Sequence, residues 1–259
     1  MHIMVDGLGV FVGTGSGHRQ GDVPVVVFLH GAAHDHTVWV MPARYFARHG
    51  LRVLVPDLPG HGRSDGPPCE TIEAMADWLL RVLDTSNVAT AAIVGHSMGA
   101  LIAQAFAMRH PTRTRAIALL GVSSPMPVTQ RLLMAAKNND PLATDMANGW
   151  SHSARGKLGG NPNPGFWMLG SGARLIERSG PGVHYADLAA CNAFISDPSK
   201  IAVPTLVIVA DADQMTPPRS GRDVAAKIPG ARLVTLAGCG HAMLSEQPNE
   251  VLDALIGIV

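Results

Sequence analysis

The feature that most constrains the fold of this chain is an alternation of short apolar runs with helical segments. The runs are rich in β-branched residues and lie at 23–29, 53–55, 91–94, 116–120, 205–209 and 231–236. Their length and continuous apolarity are typical of strands buried on both faces. The clearest helical pattern, at 71–83, repeats apolar residues at the helical period after Thr71, a candidate N-cap. The alternation predicts a mostly parallel sheet with helices on both faces and a ligand site at the carboxyl ends of its strands.

The composition indicates a globular protein with a small-molecule ligand. Hydrophobic residues make up 47% of the 259 residues and charged residues 15%, which is too apolar for a disordered chain. Lys and Arg (20) balance Asp and Glu (20), and basic residues form no run. This balance argues against nucleic acid or an anionic membrane as the partner. We therefore expect a small-molecule substrate.

Cysteine usage and hydropathy predict a location. Cys69, Cys191 and Cys239 lie far apart in the chain, and their spacing is not that of a metal finger. This pattern favours a reducing compartment. The first twelve residues do not resemble a signal peptide, and the sequence contains no window of about 18 apolar residues. We expect a cytoplasmic protein that does not span a membrane.

One stretch interrupts the alternation. Residues 123–198 contain no strand-like run, and Pro, Gly and Asn separate their apolar patches. An unstructured loop of that length is improbable in a compact domain. We therefore predict a helical lobe at 123–198, inserted into an α/β core formed by 1–122 and 199–259.

The pattern Gly-x-Ser-x-Gly occurs twice, around Ser64 and around Ser97. A nucleophile elbow requires a strand that runs into the serine and a helix that leaves it, because the sharp turn lifts the hydroxyl above the sheet. Ser97 has both: the run 91–94 precedes it, and an apolar helical pattern at 100–108 follows. Ser64 is followed by a Gly-Pro-Pro segment. We predict that Ser97 is a nucleophile and that Ser64 lies in a loop.

A serine hydroxyl is a weak nucleophile at pH 7 unless a base removes its proton and a carboxylate orients that base. His241 and Asp213 each follow a predicted strand, and Asp211 is a rival for the acid. Serine, acid and histidine occur in the order that this triad takes on an α/β sheet. The residues therefore predict a triad of Ser97, Asp213 and His241, with Asp211 as the alternative acid.

Five landmarks of one family occur in order: His30-Gly31 after a strand, the segment 57–64, Gly95-His96-Ser97-Met98-Gly99, Asp213 four residues before Pro217, and Gly240-His241 with Glu246 and Pro248 beyond. In these landmarks the chain resembles the α/β-hydrolase family over nearly its whole length. The resemblance implies an eight-stranded sheet with a helical cap over the site. It also implies an oxyanion hole formed by the backbone N–H groups of Ala32 and Met98, and the spacing to Pro217 favours Asp213 as the acid.

Two other chemistries, a metal site and a cysteine nucleophile, have candidate residues in this sequence. His34-Asp35-His36 resembles part of a binuclear zinc motif, but Val38 and Trp39 stand where that motif requires Asp and His. Cys239, beside His241, lacks the geometry of a nucleophile elbow. No glycine loop of the phosphate-binding type opens a helix. We expect no metal and no organic cofactor, and a packing role for Cys239.

Aromatic and methionine side chains in the lobe predict a pocket for a partly hydrophobic substrate. We expect Trp150, Trp167 and Tyr185 of the lobe, together with His30, to bind the substrate. His30 and His61 are more suited to bracing loops around the site than to transferring protons.

The leading functional hypothesis is a serine hydrolase that cleaves a carboxylic ester through an acyl-enzyme. A lactonase similar to enol-lactone hydrolases is the first alternative. A carbon–carbon bond hydrolase of ring-cleavage products is the second, although Ala32-Ala33 and His96 depart from the pattern of those enzymes. A ligand receptor on the same fold is the alternative from another class, which turnover would distinguish from an esterase. Epoxide hydrolases and haloalkane dehalogenases require Asp in place of Ser97.

Overall fold

The computed structural model describes residues 1–17, 21, 23–160 and 167–259. Its described strands form one eight-stranded sheet in the order β1-β2-β4-β3-β5-β6-β7-β8. Their bounds are β1 His2–Val5, β2 Leu8–Gly13, β3 Val25–Leu29, β4 Arg52–Pro56, β5 Ala91–His96, β6 Thr114–Leu120, β7 Thr205–Ala210 and β8 Arg232–Leu236. From β4 to β8 the neighbouring strands pair in parallel. The predicted α/β class and the mostly parallel eight-stranded sheet are confirmed.

The antiparallel hairpin of β1 and β2 is the part of the sheet that the hydrophobic runs do not reveal. β2 pairs with β1 and with β4, both antiparallel. The hairpin turns at Asp6 and Gly7, which both have positive φ (51° and 79°). A two-residue turn needs this conformation to match the right-handed twist of the two strands. β2 buries alternate residues, Val10 and Val12, so its pattern has a period of two instead of a continuous run. The Asp-Gly pair was the available sequence signal.

Helices cover both faces of the sheet. They are α1 Val40–Arg48, α2 Ile72–Thr85, α3 Met98–Arg109, α4 Gln130–Lys137, α5 Pro141–Ser151, α6 Ala154–Lys157, α7 Met168–Glu177, α8 Val183–Ala193, α9 Pro218–Lys227, α10 Met243–Glu246 and α11 Pro248–Ile256. One core packs α2, α3 and α9 against one face, and a second packs α1 and α11 against the other. Adjacent residues of β3, Val27 and Phe28, enter different cores, as expected for a strand buried on both faces. Thr71 caps α2 as predicted, accepting a hydrogen bond from Ala74 N at 3.1 Å.

Among the residues that the structure describes, five helices, α4 to α8, lie between β6 and β7. They have their own apolar cluster, in which Leu132 and Ala136 of α4 pack with Ala143 of α5 and Leu188 of α8. Their position in the chain places them between the carboxyl end of one central strand and the start of the next. The division into a cap at 123–198 and a core at 1–122 and 199–259 stays a prediction. None of the helices in the described part of the chain is long and apolar enough to cross a membrane.

Candidate active site

Ser97 lies in the sharp turn between β5 and α3. Its φ and ψ are 56° and −118°, an uncommon conformation for a residue with a side chain. The two flanking glycines are required by close packing. A β-carbon on Gly95 would collide with the carbonyl of Gly99, and one on Gly99 would collide with the carbonyl of Leu29. The Gly-x-Ser-x-Gly pattern here therefore reflects the geometry of a nucleophile elbow.

Ser64 has a structural role in the loop that follows β4. Its Oγ accepts a hydrogen bond from Phe11 N at 3.0 Å and donates one to the carbonyl of Asp57 at 2.7 Å. These bonds hold the loop against β2. Of the two serines, only Ser97 directly follows a strand and directly precedes a helix.

Asp213 and His241 form a buried pair at the carboxyl ends of β7 and β8. His241 Nδ1 lies 2.7 Å from Asp213 Oδ2. The carboxylate also accepts bonds from Met215 N, Thr216 N and Thr216 Oγ1 at 2.7–2.8 Å. Burial raises the pKa of Asp213, but the adjacent His241 and these hydrogen bonds outweigh it, so the pKa lies below its usual value. Asp213 therefore remains ionised and orients His241.

The rival acid, Asp211, points elsewhere. It is exposed, and its Oδ1 accepts a hydrogen bond from Gly238 N at 2.7 Å, which braces the loop after β8. The geometry brings Asp213 to His241, and it leaves Asp211 a role in the loop.

Two further residues shape the surroundings of His241. A β-carbon on Gly121, which follows β6 with φ of 58°, would lie 2.9 Å from His241 Cε1, so a larger residue would crowd the ring. His96 Nε2 lies 2.8 Å from the carbonyl of His241. Burial, with a contribution from His241, lowers the pKa of His96 to about 3, so the neutral ring donates this bond. His96 thereby fixes the backbone of the candidate base.

The two backbone amides implied for the oxyanion hole flank Ser97. Met98 is the first residue of α3, so its N–H has no acceptor within the helix. Ala32 lies in a turn closed by a bond from His34 N to the carbonyl of Gly31 at 3.2 Å, which leaves the Ala32 N–H outside that bond. A β-carbon on Gly31 would lie 3.3 Å from Ser97 Cβ. Glycine therefore lets this turn approach the candidate nucleophile.

Asp187, in α8, is a site residue that the sequence reasoning missed. Its buried Oδ2 accepts hydrogen bonds from Ala33 N and from His61 Nε2, each at 2.8 Å. Burial lowers the pKa of His61, but Asp187 outweighs this effect and the pKa is raised. The contact joins the helical segment to the turn that contains Ala32. A separation of 126 residues between His61 and Asp187 left no local signal.

Replacing Asp187 with alanine is expected to lower the free energy of unfolding by about 3 kcal/mol, because it leaves His61 and the Ala33 amide without their buried partner. Asp145→Ala removes an exposed carboxylate of α5 and is the matched control. Denaturant titration of both variants measures the difference. Equal stability of the two variants would contradict a bracing role for Asp187.

A cavity of about 150 Å³ lies between Ser97 and the helical segment. Side chains from the core that line it include His34, His96, Ser97, Met215, Thr216 and His241. Side chains from 123–198 include Met126, Val128, Leu132, Trp150, Ile176 and Leu188. The candidate nucleophile and base therefore open into one largely apolar chamber, as a partly hydrophobic substrate requires.

Of the four residues predicted to bind substrate, the structure places only Trp150 in this cavity. Trp167 is 75% exposed and lies outside this cavity. Tyr185 also lies outside the cavity and packs against the apolar cluster of α4, α5 and α8. His30 is fully buried, donates to the Gly31 carbonyl and accepts from Leu58 N. It braces the turn without reaching the cavity, because both ring nitrogens already have backbone partners.

The two tryptophans provide a matched test of the cavity wall. Trp150→Ala is expected to change the ratio of kcat/KM between short and long acyl esters about tenfold or more, because each methylene contributes about 1–3 kcal/mol of discrimination in an apolar pocket. Trp167→Ala should leave the ratio unchanged, since its side chain lies outside the cavity. The measurement is kcat/KM across an acyl-chain series. If Trp167→Ala changes the ratio of kcat/KM between short and long esters and Trp150→Ala does not, the assignment of Trp150 to the cavity wall is contradicted.

The segment His34-Asp35-His36 forms hydrogen bonds with neighbouring loops. The cluster that it contains is Asp35, His36 and Asp57, whose candidate ligand atoms lie within 4.8 Å of one another. Asp57 accepts from His36 Nδ1 at 2.8 Å and from Arg63 N at 2.9 Å, while Asp35 accepts from Arg178 at 2.9 Å. Both carboxylates therefore have hydrogen-bond donors from the surrounding protein and act as braces between loops.

Cys239 is fully buried, and burial together with nearby carboxylates raises the pKa of its thiol. Its Sγ donates to the Gly240 carbonyl. A thiol that stays protonated is a poor nucleophile, which supports the predicted packing role.

Acidification from pH 7 to pH 5 is expected to destabilise the fold. Burial lowers the pKa of His34 from 6.5 to about 4 and that of His96 to about 3. Between pH 6.5 and these values only the unfolded chain binds the protons, so stability is lost as pH falls, by about 2 kcal/mol per histidine at pH 5. The raised pKa of His61 has the opposite sign.

The measurement is Tm at pH 7 and pH 5. His96→Gln keeps a donor for the His241 carbonyl without titrating, so it should reduce the Tm difference, and the exposed His49→Gln should not. If the difference between Tm at pH 7 and Tm at pH 5 is the same in His96→Gln as in the unaltered protein, His96 does not contribute to the loss of stability at low pH.

Comparison with known proteins supports the fold described above. A family model described as alpha/beta hydrolase fold matches residues 24–148, and one described as TAP-like protein matches residues 189–257. The non-heme chloroperoxidase CPO-A1 of Kitasatospora aureofaciens is 30% identical over 84% of this chain and 85% of its own length.

A pimeloyl-[acyl-carrier protein] methyl ester esterase of Aromatoleum aromaticum is 29% identical over 88% of this chain and 94% of its own length. Among solved structures, the enol-lactonase of Burkholderia xenovorans LB400 superposes with a TM-score of 0.88 at 26% identity, covering 99% of this chain and 98% of the other. The matches extend across the core strands, the elbow and the segment containing the histidine. The chain belongs to the α/β-hydrolase family.

Proposed function

We propose that this hydrolase cleaves a carboxylic ester through an acyl-enzyme on Ser97. The observation that carries the proposal is the arrangement at the strand ends: a serine in a nucleophile elbow and an Asp213–His241 pair open into one cavity. The similarity to a methyl ester esterase supports ester hydrolysis as the reaction.

The roles follow from the bonding of each group. Asp213 occupies His241 Nδ1, which leaves Nε2 to take the proton of Ser97 as the Oγ attacks the ester carbonyl. The N–H groups of Ala32 and Met98 would stabilise the resulting oxyanion, each by about 3 kcal/mol. His241 then donates its proton to the departing alcohol. Water, deprotonated by His241, attacks the acyl-enzyme and releases the acid.

A lactone is the second candidate substrate. The observation that favours it is the overlap with the enol-lactonase over 99% of this chain, including the helical segment over the site. A lactone is a cyclic ester, so the same groups would open it, and the alcohol would remain attached to the acid that is released.

Labelling and turnover test the proposal together. A fluorophosphonate is expected to modify Ser97 stoichiometrically, as shown by peptide mapping, and to abolish hydrolysis of an aryl ester. The untreated protein should show a burst of the aryl alcohol followed by steady turnover. Labelling at Ser64 would contradict the assignment of the nucleophile. A single burst without further turnover would favour a ligand receptor.

A further inference from the structure

We propose that the substrate carries no charge on its acyl or alcohol part and that the cavity selects against carboxylate-bearing esters. This inference rests on the proposed ester hydrolysis and specifies the class of ester. It separates neutral esters and lactones from half-esters of dicarboxylic acids, which offer the same scissile bond.

The first observation is the chemistry of the cavity wall. Of the described residues that line the chamber at Ser97, none is Asp, Glu, Lys or Arg. The polar lining consists of histidines, hydroxyl groups, one glutamine side chain and backbone. A carboxylate in this chamber would lose much of its hydration without gaining a cationic partner, which strongly disfavours the charged form.

The second observation extends this wall beyond His241. A smaller cavity of about 60 Å³ shares His34, His96, Ile176 and His241 with the first. Its described lining also lacks Asp, Glu, Lys and Arg. The described lining of both chambers that meet at the candidate base therefore offers no Lys or Arg as a counter-ion to either part of an ester.

Two histidines of the wall, His34 and His184, do not replace a missing cation. Burial lowers the pKa of His34 to about 4 and also lowers the pKa of His184, so both rings are neutral at pH 7. His34 Nδ1 is buried and has no hydrogen-bond partner among the described residues. Close to this atom, a neutral polar group of the substrate would be accommodated better than an anion.

A carboxylate also lies behind the wall. Asp187 is fully buried, and its charge acts on Cys191 and His184, which line the cavity. Its Oδ1 has no partner among the described residues, and its Oδ2 is bonded to Ala33 N and His61. Asp187 therefore supplies this side of the wall with a carboxylate, and among the described lining residues no Lys or Arg is directed into the cavity.

Three esters of equal length test the proposal. Methyl hexanoate ends in a methyl group, monomethyl adipate ends in a carboxylate, and methyl adipamate ends in a neutral amide of the same shape as that carboxylate. At pH 7.5 we expect kcat/KM for the carboxylate to be at least about 100-fold below that for the amide. The amide separates charge from size and polarity.

A pair of variants at Val128 tests the cause. Val128 lines the cavity and is only partly buried, so a longer side chain can be accommodated there. Val128→Lys should supply a cation and so lower the ratio of kcat/KM for the amide ester to kcat/KM for the carboxylate ester at least about tenfold. Val128→Met introduces a side chain of similar length without a charge, so it should leave this ratio unchanged.

The outcomes separate the two proposals. Equal hydrolysis of amide and carboxylate by the unaltered protein, or the same narrowing in both Val128 variants, would overturn the selection by charge. Failure to hydrolyse any of the three esters, together with absent fluorophosphonate labelling, would instead overturn the ester hydrolase function.

Discussion

Replacing Ser97 with alanine is expected to lower kcat for ester hydrolysis by about 10⁴-fold or more while leaving the fold intact. Removal of the hydroxyl eliminates the acyl-enzyme route, and the remaining groups of a serine triad contribute little without their nucleophile. The measurement is kcat on an aryl ester, with circular dichroism and Tm to establish folding. Relief of the positive φ is not expected, because alanine also has a β-carbon.

Ser64→Ala is the matched control, since it removes the serine of the other Gly-x-Ser-x-Gly segment. It should leave kcat within a few-fold of the unaltered protein and lower the free energy of unfolding by about 1–2 kcal/mol, because two loop hydrogen bonds are lost. An inactive Ser64→Ala variant, or an active Ser97→Ala variant, would show that the elbow does not supply the nucleophile.

The second large effect is expected at Asp213. Asp213→Asn should lower kcat by about 10⁴-fold, because an amide can hold the imidazole in the wrong tautomer and cannot stabilise the imidazolium that forms. The depressed pKa of Asp213 shows that its charged form interacts favourably with His241 and the surrounding donors. The measurement is kcat at pH 8, with Tm measured on the same preparation.

Asp211→Asn provides the control two residues away. Its carboxylate is bonded to Gly238 N and does not reach His241, so kcat should change only a few-fold. A comparable loss in both variants would mean that the loop after β7, and not the carboxylate of Asp213, determines the activity.

Much of the core could be predicted from the sequence because buried parallel strands leave a strong local signal. The runs at 91–94 and 205–209 correspond to β5 and β7 with small shifts of their ends. The position of Ser97 between such a run and a helix was also local, since strand, turn and helix are contiguous. The hairpin of β1 and β2 was missed because its half-buried pattern is weaker than a continuous apolar run.

The cavity wall could not be predicted in the same way. Trp150 and Trp167 are both aromatic residues of the helical segment, yet one lines the cavity and the other is 75% exposed. Composition reports that a segment is apolar, but the direction of each side chain depends on how its helix packs against the rest of the fold. Tyr185 illustrates the same limit, since the contacts of its helix turn it into the cluster of α4, α5 and α8.

The sequence by itself determined the fold class, the elbow at Ser97 and the order of candidate acid and base, because each depends on residues that are close in the chain or on strand ends that meet at one edge of a parallel sheet. Only the tertiary structure decided that His241 pairs with Asp213 instead of Asp211 and that Asp187 braces the turn beside Ser97. These contacts join residues between 27 and 154 positions apart. Their formation depends on the packing of whole helices and strands, which no local pattern records.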